Sequence, residues 1–442
     1  MSATLLRVEA QPLPASPVHP VVRWAFYVFI LSLPFEYPKR SIPWEVTTLT
    51  CALFLLATVV QPGLCFRRFP RAVGWFAGFL YAFLISFAVN GGEYADEAMK
   101  LFILQLQLVL LLWAAYNVLQ DEHVFGRAPL VLAVACTARA ALQLSGIATE
   151  HTVEWGGGER VSALGQNANQ SAMIMTAGLI ALLAFSNASP GGRRLVRLLI
   201  WPFAALIGIA IIQNGSRGGV IALGAGVLTL MLGGAWVWSR LRNAAVVLLA
   251  LGLLSWASYN SEGMRNRFTE VTSRGYMAGR EKLYPELMQM FLERPIVGYG
   301  PIANKYVLGG RVPEQHYERR DAHNVFLEVM TATGIVGLLP FVVGLWLAGR
   351  AAWRGRQGPA GMLPTALLVA VMASNLSGNQ LAAPLTWLVL TYALASDRSQ
   401  GPMPAPAPVP GRPRRRLFPD LGDPRLTGSA ALPSRRRGGA QC

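Results

Sequence analysis

The chain has 442 residues, of which 53% are hydrophobic and only 14% are charged, and its formal net charge is +16. Soluble domains carry about 25% charged residues, so this composition excludes a soluble enzyme. Each bilayer crossing takes roughly 20 apolar residues, and apolar runs recur along most of the chain, which also excludes a receptor with a single anchor. The sequence therefore predicts an all-α polytopic membrane protein.

Twelve apolar runs predict about 12 transmembrane helices. The Pro-rich residues 1–20 lack the order of a cleaved signal peptide and are predicted to be a cytoplasmic N-terminal tail. Helices 1–9 are predicted within residues 21–259, and helices 10–12 within residues 322–396. The runs are 21–37, 46–61, 73–90, 99–118, 128–147, 169–187, 195–212, 217–238, 243–259, 322–348, 362–377 and 380–396.

Lys and Arg in the short loops predict the orientation, because cytoplasmic loops are enriched in these residues. With the N-terminus in the cytoplasm, the inward loops hold 12 Lys and Arg, and the short outward loops hold five. Both chain ends are therefore predicted to lie inside. Residues 397–442 form a basic, Pro-rich tail that is predicted to be disordered in the cytoplasm, either solvated or tethered to anionic lipids.

One long loop, residues 260–321, is predicted to face outward between helices 9 and 10. It holds ten Lys and Arg and eight Asp and Glu. Residues 286–292 have the pattern of an amphipathic helix that Pro295 closes, and Gly298 and Gly300 follow in a predicted turn. The loop is therefore expected to be structured.

Two basic sites lie at the predicted outer face. Arg217 opens the eighth helix and is followed by Gly218 and Gly219, which allow a ligand or a neighbouring helix to approach the backbone. Arg217 either binds an anion at this helix start or reaches to lipid headgroups. In the loop, Arg280 and Lys282 either form a phosphate-binding pair or form ion pairs with neighbouring glutamates.

A histidine opens the tenth helix. His323 is followed by Asn324 and lies at the predicted outer face, where a side chain with an ordinary pKa near 6.5 can accept a proton. Asp321 and Glu328 are candidates to orient it. The alternative is a histidine that caps the start of the helix.

Further polar residues are candidate substrate ligands. Arg139 lies inside the fifth apolar run and needs an internal carboxylate or a ligand phosphate as its partner. An outward segment combines a guanidinium with amides, which suit sugars and phosphates and also suit helix capping; its candidates are Arg160, Gln166, Asn167 and Asn169. The four cysteines and five histidines do not cluster, so no metal site is predicted.

The order of these motifs resembles the O-antigen ligase family, which shares its C-terminal region with O-antigen polymerases and bacterial O-oligosaccharyltransferases. The matching residues run from Ser216 to Gly219, from Gly279 and Arg280 to Pro295, Gly298 and Gly300, and from His323 and Asn324 to Leu327, Gly334 and Gly337. Twelve helices with one large loop between the ninth and tenth extend the resemblance over the membrane region. Tyr284 departs from the tryptophan of many relatives.

The resemblance implies a membrane glycosyltransferase in the bacterial inner membrane, with its active site facing the periplasm. Such enzymes transfer a glycan from undecaprenyl diphosphate to an acceptor hydroxyl, which for a ligase belongs to a lipid A-core sugar, without a metal or another cofactor. Arg217 and Arg280 would hold the diphosphate, His323 would be the general base, and the anomeric carbon would be inverted. Membrane lipids are expected partners, and nucleic acid is not.

Two alternative functions share parts of this pattern. A polymerase of O-antigen or exopolysaccharide would use the same arginines and histidine with another acceptor. A polysaccharide transporter would also have many helices, but it often has internal repeats, which the two halves of this chain lack.

Overall fold

The computed structural model describes residues 17–36, 45–147, 149–154, 158–188, 194–232, 280–312 and 318–398. Four predictions lie largely or wholly outside these residues: the N-terminal tail at 1–20, the ninth helix at 243–259, the first third of the long loop, and the basic C-terminal tail.

The described residues form fourteen α-helices and one β-hairpin. The helices are α1 Pro20–Ser32, α2 Val46–Ala57, α3 Pro62–Cys65, α4 Arg71–Val89, α5 Ala95–Val118, α6 Glu122–Leu144, α7 Ala168–Ala188, α8 Arg194–Gln213, α9 Arg217–Met231, α10 Arg280–Glu293, α11 Ala303–Arg311, α12 Val325–Arg354, α13 Leu363–Asn375 and α14 Pro384–Ala395. Three 3-10 turns, Leu33–Phe35, Thr58–Val60 and Gly355–Gln357, extend α1, α2 and α12. Strands β1, Thr149–Glu154, and β2, Gly158–Ala163, pair antiparallel.

The prediction of a helical membrane protein is confirmed. Among the described helices, α4, α5, α6, α7 and α12 are long and apolar enough to cross a bilayer, and six shorter helices are also apolar. The number of twelve crossings stays a prediction, since α2, α13 and α14 have only 12 or 13 residues each. The small hairpin was not predicted.

Aromatic side chains fill the core between α4, α12 and α14. Phe76 of α4 lies edge-on to Phe341 of α12 and to Trp387 of α14, with ring centroids 6.1 and 5.0 Å apart. Gly344 of α12 leaves room for the Phe76 ring, because a Cβ there would approach the ring to 2.7 Å. Close packing of this kind holds α12 against α4 along its length.

The helix α12 is kinked at Gly334, and backbone hydrogen bonds attach the long loop to α12 at this point. Residues 295–300, called the strap below, lie along this break: Tyr299 N–H donates to Thr331 O at 2.8 Å, and Ile335 N–H donates to Pro295 O at 2.8 Å. Gly334 has φ 61° and ψ −161°, a conformation that favours glycine. Gly298 and Gly334 therefore serve backbone packing between the strap and α12.

The predicted amphipathic helix of the loop is present as α10. It begins at Arg280, earlier than expected, and its buried residues Leu283, Leu287 and Met290 recur with the helical period. They pack with Leu308 of α11 in a small apolar cluster of their own. This cluster positions the start of α10 beside the membrane helices.

Candidate active site

The Arg217 motif forms the capped start of α9. Ser216 is the N-cap: its Oγ accepts the Gly219 N–H at 3.1 Å and donates to Asn169 Oδ1 at 2.8 Å. Arg217 is the first helical residue and is half-buried. Because the N-cap side chain satisfies one N–H group, the remaining groups of the first turn and the guanidinium define a positive helix end.

Gly218 lies against the loop that joins α13 to α14. A Cβ at Gly218 would clash with the side chain of Ser377 in this loop. The glycine thus allows α9 to approach Ser377 closely, in agreement with the predicted purpose of the Gly218–Gly219 pair.

The start of α10 meets the same loop. Arg280 Nη2 donates to Ser377 O at 2.6 Å, and Tyr284 Oη, one turn later, donates to Leu376 O at 3.2 Å. Arg280 is half-buried, whereas Lys282 is exposed. Residues two positions apart do not face each other on a helix, so α10 does not bring Arg280 and Lys282 together as a pair.

The start of α12 is the third element at this loop. Asn324 is the N-cap: its Oδ1 accepts the N–H groups of Phe326 and Leu327 at 2.9 and 3.2 Å, and its Nδ2 donates to Leu376 O at 3.3 Å. His323 has φ 50°, in the left-handed region that few non-glycine residues adopt. Asn324, and not His323, is therefore the side chain that caps the helix.

Three helix N-termini thus converge on one loop. We call Arg217, Arg280, His323 and Asn324, with the carbonyls of Leu376 and Ser377, the N-terminal cluster. The positive ends of α9, α10 and α12 add their macrodipoles to two guanidinium groups. Helix N-termini and arginines are the groups that bind phosphates in proteins, so this cluster has the electrostatics of an anion site.

The carboxylates near His323 are held by Lys305. Lys305 Nζ lies 2.5 Å from Asp321 and 3.7 Å from Glu328. Burial is the largest single effect and raises the pKa of the Asp321 carboxyl, but the charge and hydrogen bond of Lys305 together with the charges of His323 and Arg319 outweigh it, so the pKa lies below its ordinary value. The Lys305 pKa is raised: burial lowers it, and the two carboxylates more than compensate.

Of the two carboxylates predicted to orient His323, Glu328 is engaged elsewhere. It is buried and accepts hydrogen bonds from Asn304 Nδ2 and from Ala322 N–H, both at 3.3 Å. Asp321 is exposed and close enough for its charge to interact with His323. Asp321 is therefore the better placed of the two.

Arg139 lies fully buried between helices, away from the surface of the cluster. Its guanidinium donates to Ser171 Oγ at 2.6 Å and to Ala163 O at 3.2 Å, and Ser171 in turn donates to Asn214 at 3.3 Å. Its guanidinium thus bonds to a hydroxyl and a carbonyl, and it also interacts electrostatically with the Glu36 carboxylate, an internal carboxylate of the kind that the sequence predicted. Arg139 holds β2 and α7 in place.

The amide segment borders a separate cavity. Gln166 is buried and donates through Nε2 to Glu36 O at 2.8 Å, and Gln170 Nε2 donates to Glu36 Oε2 at 2.6 Å. Thr47 donates to the other carboxylate oxygen at 2.6 Å. These groups and Asn167 line a cavity of about 270 Å³, together with Glu45 and the loop residues Asn379 and Gln380. Such acceptors and amides match sugar hydroxyls.

The other residues that were predicted to bind substrate belong to a helix cap, a contact between helices and the hairpin. Asn167 Oδ1 accepts the Asn169 N–H at 2.9 Å at the start of α7, and Asn169 binds Ser216, as described above. Arg160 pairs with Thr152 in the hairpin through its backbone; its side chain lies outside the described atoms. The amide segment therefore caps α7 and joins α7 to α9, as the alternative interpretation predicted.

Sequence analysis missed the loop that joins α13 to α14. Leu376 and Ser377 contact the three helix starts, and Asn379 and Gln380 line the 270 Å³ cavity. The available signal was the polar run Ser374-Asn375-Leu376-Ser377-Gly378-Asn379-Gln380 between two apolar runs. Its length suggested only a connection between helices.

Comparisons with known proteins agree with these motifs. Residues 202–342 match the family model described as O-Antigen ligase, a region that contains Arg217, Arg280 and His323. A protein described as "O-antigen ligase" from Pseudomonas aeruginosa is 29% identical over 210 residues, which cover 43% of this chain. The chain spans about half the length of this relative, 46%. The two matches confirm the resemblance of this chain to the O-antigen ligase family.

Proposed function

We propose that the protein is an O-antigen ligase that transfers a glycan from undecaprenyl diphosphate to a hydroxyl of a lipid A-core sugar. The observation that carries the proposal is the convergence of three helix N-termini, with Arg217, Arg280 and His323, on Leu376 and Ser377. The family match supports this class of reaction, and the apolar helices support a donor and an acceptor that are both embedded in a membrane.

In the proposed reaction, Arg217 and Arg280 bind the diphosphate together with the positive ends of α9 and α10. The acceptor oxygen forms a bond to the anomeric carbon while the bond from that carbon to the phosphate oxygen breaks. The electron pair leaves with the diphosphate, whose developing charge the guanidiniums stabilise. His323 takes the proton of the acceptor hydroxyl, and attack opposite the leaving group inverts the anomeric carbon.

The 270 Å³ cavity is proposed to receive the sugar next to the diphosphate. The loop of residues 376–383 contributes to both sites, since Leu376 and Ser377 belong to the N-terminal cluster and Asn379 and Gln380 line the cavity. The cavity offers carboxylates and amides, and among the residues that line it there is no arginine or lysine. This division suits a neutral glycan on one side and a diphosphate on the other.

The test is a lipopolysaccharide gel from cells that lack this gene and carry either the wild type, His323→Ala or Arg311→Gln. Arg311 lies in the loop, forms an ion pair with Glu293 and is remote from the N-terminal cluster, so its variant is the matched control. We expect His323→Ala to abolish the ladder while lipid-linked glycan accumulates, and Arg311→Gln to keep it.

Two results would contradict the proposal. A ladder of normal amount and length with His323→Ala would exclude the proposed general base. Loss of chain length in the gene-deficient cells, with single repeats still attached to the core, would instead identify a polymerase with the same chemistry.

A further inference from the structure

A second basic site lies at the opposite end of α12 from His323. There the helix ends form a cavity of about 560 Å³. Four arginines line it, and Asp397 is the one carboxylate among its lining residues. The four arginines are Arg68, Arg71, Arg350 and Arg354.

The arginines come from two rigid parts of the fold. Arg350 and Arg354 are four residues apart on α12 and therefore share one face of the helix. Arg68 precedes α4 and is fixed by α5: Trp113 Nε1 and Asn117 Nδ2 each donate to Arg68 O at 2.9 Å, and Asn117 Oδ1 accepts its N–H at 2.9 Å. The fold thus holds like charges around one space, although they repel each other.

Among the described residues that line the cavity, one carboxylate balances these charges. Asp397 lies 3.9 Å from Arg354, and the Arg350 guanidinium stacks on Trp346 at 5.3 Å from the ring centroid. Four guanidiniums and one carboxylate leave the cavity with an excess of positive charge. The cation-rich cavity therefore attracts an anion.

The start of α4 adds a second, independent feature. This 19-residue helix begins at Arg71, and its N-cap Pro70 has no side chain that could satisfy the first N–H groups. Pro70, Arg71 and Ala72 all line the cavity. The N–H groups and macrodipole of a long helix thus act on the same space as the guanidiniums, an arrangement that binds phosphate.

The surroundings indicate that the phosphate belongs to a lipid. Phe69, which lines the cavity, is 57% exposed; Trp346, on which Arg350 stacks, is 57% exposed, and Trp353, next to Arg354 in the sequence, is 49% exposed. Aromatic residues of this kind lie at the headgroup level of a bilayer. Lysine and arginine distribution predicts that this face is cytoplasmic, and basic pockets between helices on that side bind anionic headgroups.

We propose that this cavity binds the phosphate headgroup of an anionic phospholipid from the adjacent leaflet. A preference for basic loops on the cytoplasmic side explains the sign of the charge on this face. It does not explain a concave space that joins four guanidiniums, a helix start and exposed aromatic side chains. The bound lipid would link α4 to α12 at the end opposite the N-terminal cluster.

The experiment is native mass spectrometry of the full chain in a neutral detergent, titrated with dioleoylphosphatidylglycerol or with dioleoylphosphatidylcholine. We expect one phosphatidylglycerol to bind at least tenfold more tightly than phosphatidylcholine. The triple variant Arg68→Gln, Arg350→Gln, Arg354→Gln should bind phosphatidylglycerol about 100-fold more weakly, because each basic residue contributes roughly a fivefold factor.

The matched control removes the same charge from the same face. The control is the triple variant Arg67→Gln, Arg127→Gln, Arg356→Gln, whose three arginines lie outside the cavity lining. It should keep the wild-type affinity for phosphatidylglycerol within about threefold. If both triple variants bound phosphatidylglycerol equally weakly, net charge and not the cavity would determine the affinity, and the proposal would be overturned. The thermal midpoint of each variant without lipid shows whether it is folded.

A parallel titration with inorganic phosphate and diphosphate distinguishes a lipid from a soluble anion. We expect neither to displace the bound phosphatidylglycerol at millimolar concentration. Displacement by either, or equal binding of the two lipids, would contradict the proposed occupant. If the triple variant of the cavity fails to fold, the single variants Arg350→Gln and Arg354→Gln replace it. Each should weaken the binding of phosphatidylglycerol about fivefold.

Discussion

The two ends of α12 both gather arginines, but they do so by different means. At the Val325 end, Arg280 donates to the Ser377 carbonyl, and Arg217 and His323 lie at two further helix starts that contact the same loop. At the Arg354 end, the guanidiniums surround an open space, and Arg350 and Arg354 lie at a helix C-terminus, where positive charge is favourable. A fixed geometry suits a reacting group that must take one orientation. An open ring of charges suits a lipid headgroup that adopts several orientations.

The largest expected effect tests the fixed geometry. Arg280→Lys keeps the positive charge but loses the planar guanidinium, which donates to Ser377 O and has further N–H groups for the proposed diphosphate. We expect it to lower transfer by about 100-fold, near the effect of losing one oxyanion donor, whereas Arg350→Lys should change phosphatidylglycerol affinity less than threefold. Transfer rates with purified donor and acceptor measure the first effect, and equal activity of Arg280→Lys and wild type would remove the distinction between the two ends.

The next effect tests the break in α12 that connects the two ends. Gly334→Ala places a Cβ against Ile296 O and requires a positive φ, so we expect it to destabilise the protein by about 3 kcal/mol. The measurement is the thermal midpoint in detergent. Gly310→Ala is the matched control: Gly310 lies in α11 with open space around its Cβ position, so this change should be neutral or slightly stabilising. Equal midpoints for both variants would show that the strap does not need glycine at Gly334.

A smaller effect is expected at Arg139, which is buried and belongs to neither end. Arg139→Met leaves Ser171 and Ala163 O without their donor, at a cost of about 2 kcal/mol. The thermal midpoint should fall, and transfer per folded molecule should stay within about threefold of wild type. A folded variant that lost transfer more than 100-fold would instead make Arg139 a substrate ligand.

The smallest effect concerns pH. Hydrogen bonds from Arg311 and Tyr299 lower the pKa of the exposed Glu293 to about 2. A carboxyl with a depressed pKa stabilises the folded loop above its unfolded pKa, near 4.3, and this stabilisation is lost as the pH falls toward 2. The thermal midpoint of the wild type should fall more steeply between pH 4.5 and about 2.5 than that of Glu293→Gln. Parallel curves would show that the pair with Arg311 does not stabilise the loop.

Short sequence patterns predicted the features that depend on residues close together in the chain. The apolar runs predicted a helical membrane protein, because burial of apolar side chains in lipid depends on length and composition. The sequence predicted helix starts at Arg217 and near His323, but not at Arg280, and the choice of these three residues as a site came from the family resemblance. The amphipathic period of α10 indicated its buried face, although the helix spans Arg280–Glu293 and not only the predicted residues 286–292.

Tertiary contacts decided the rest, because they join residues far apart in sequence. Leu376 and Ser377 contact Arg280 and Asn324 through backbone carbonyls, which every residue has and no sequence pattern distinguishes. The charge of Arg139 predicted an internal carboxylate, and only the packing of the chain brought Glu36 near it and placed Ser171 of α7 as its hydrogen-bond partner. Likewise, charge counts assigned Arg68 and Arg350 to one face, and only the packing of α4 against α12 brought them to one cavity.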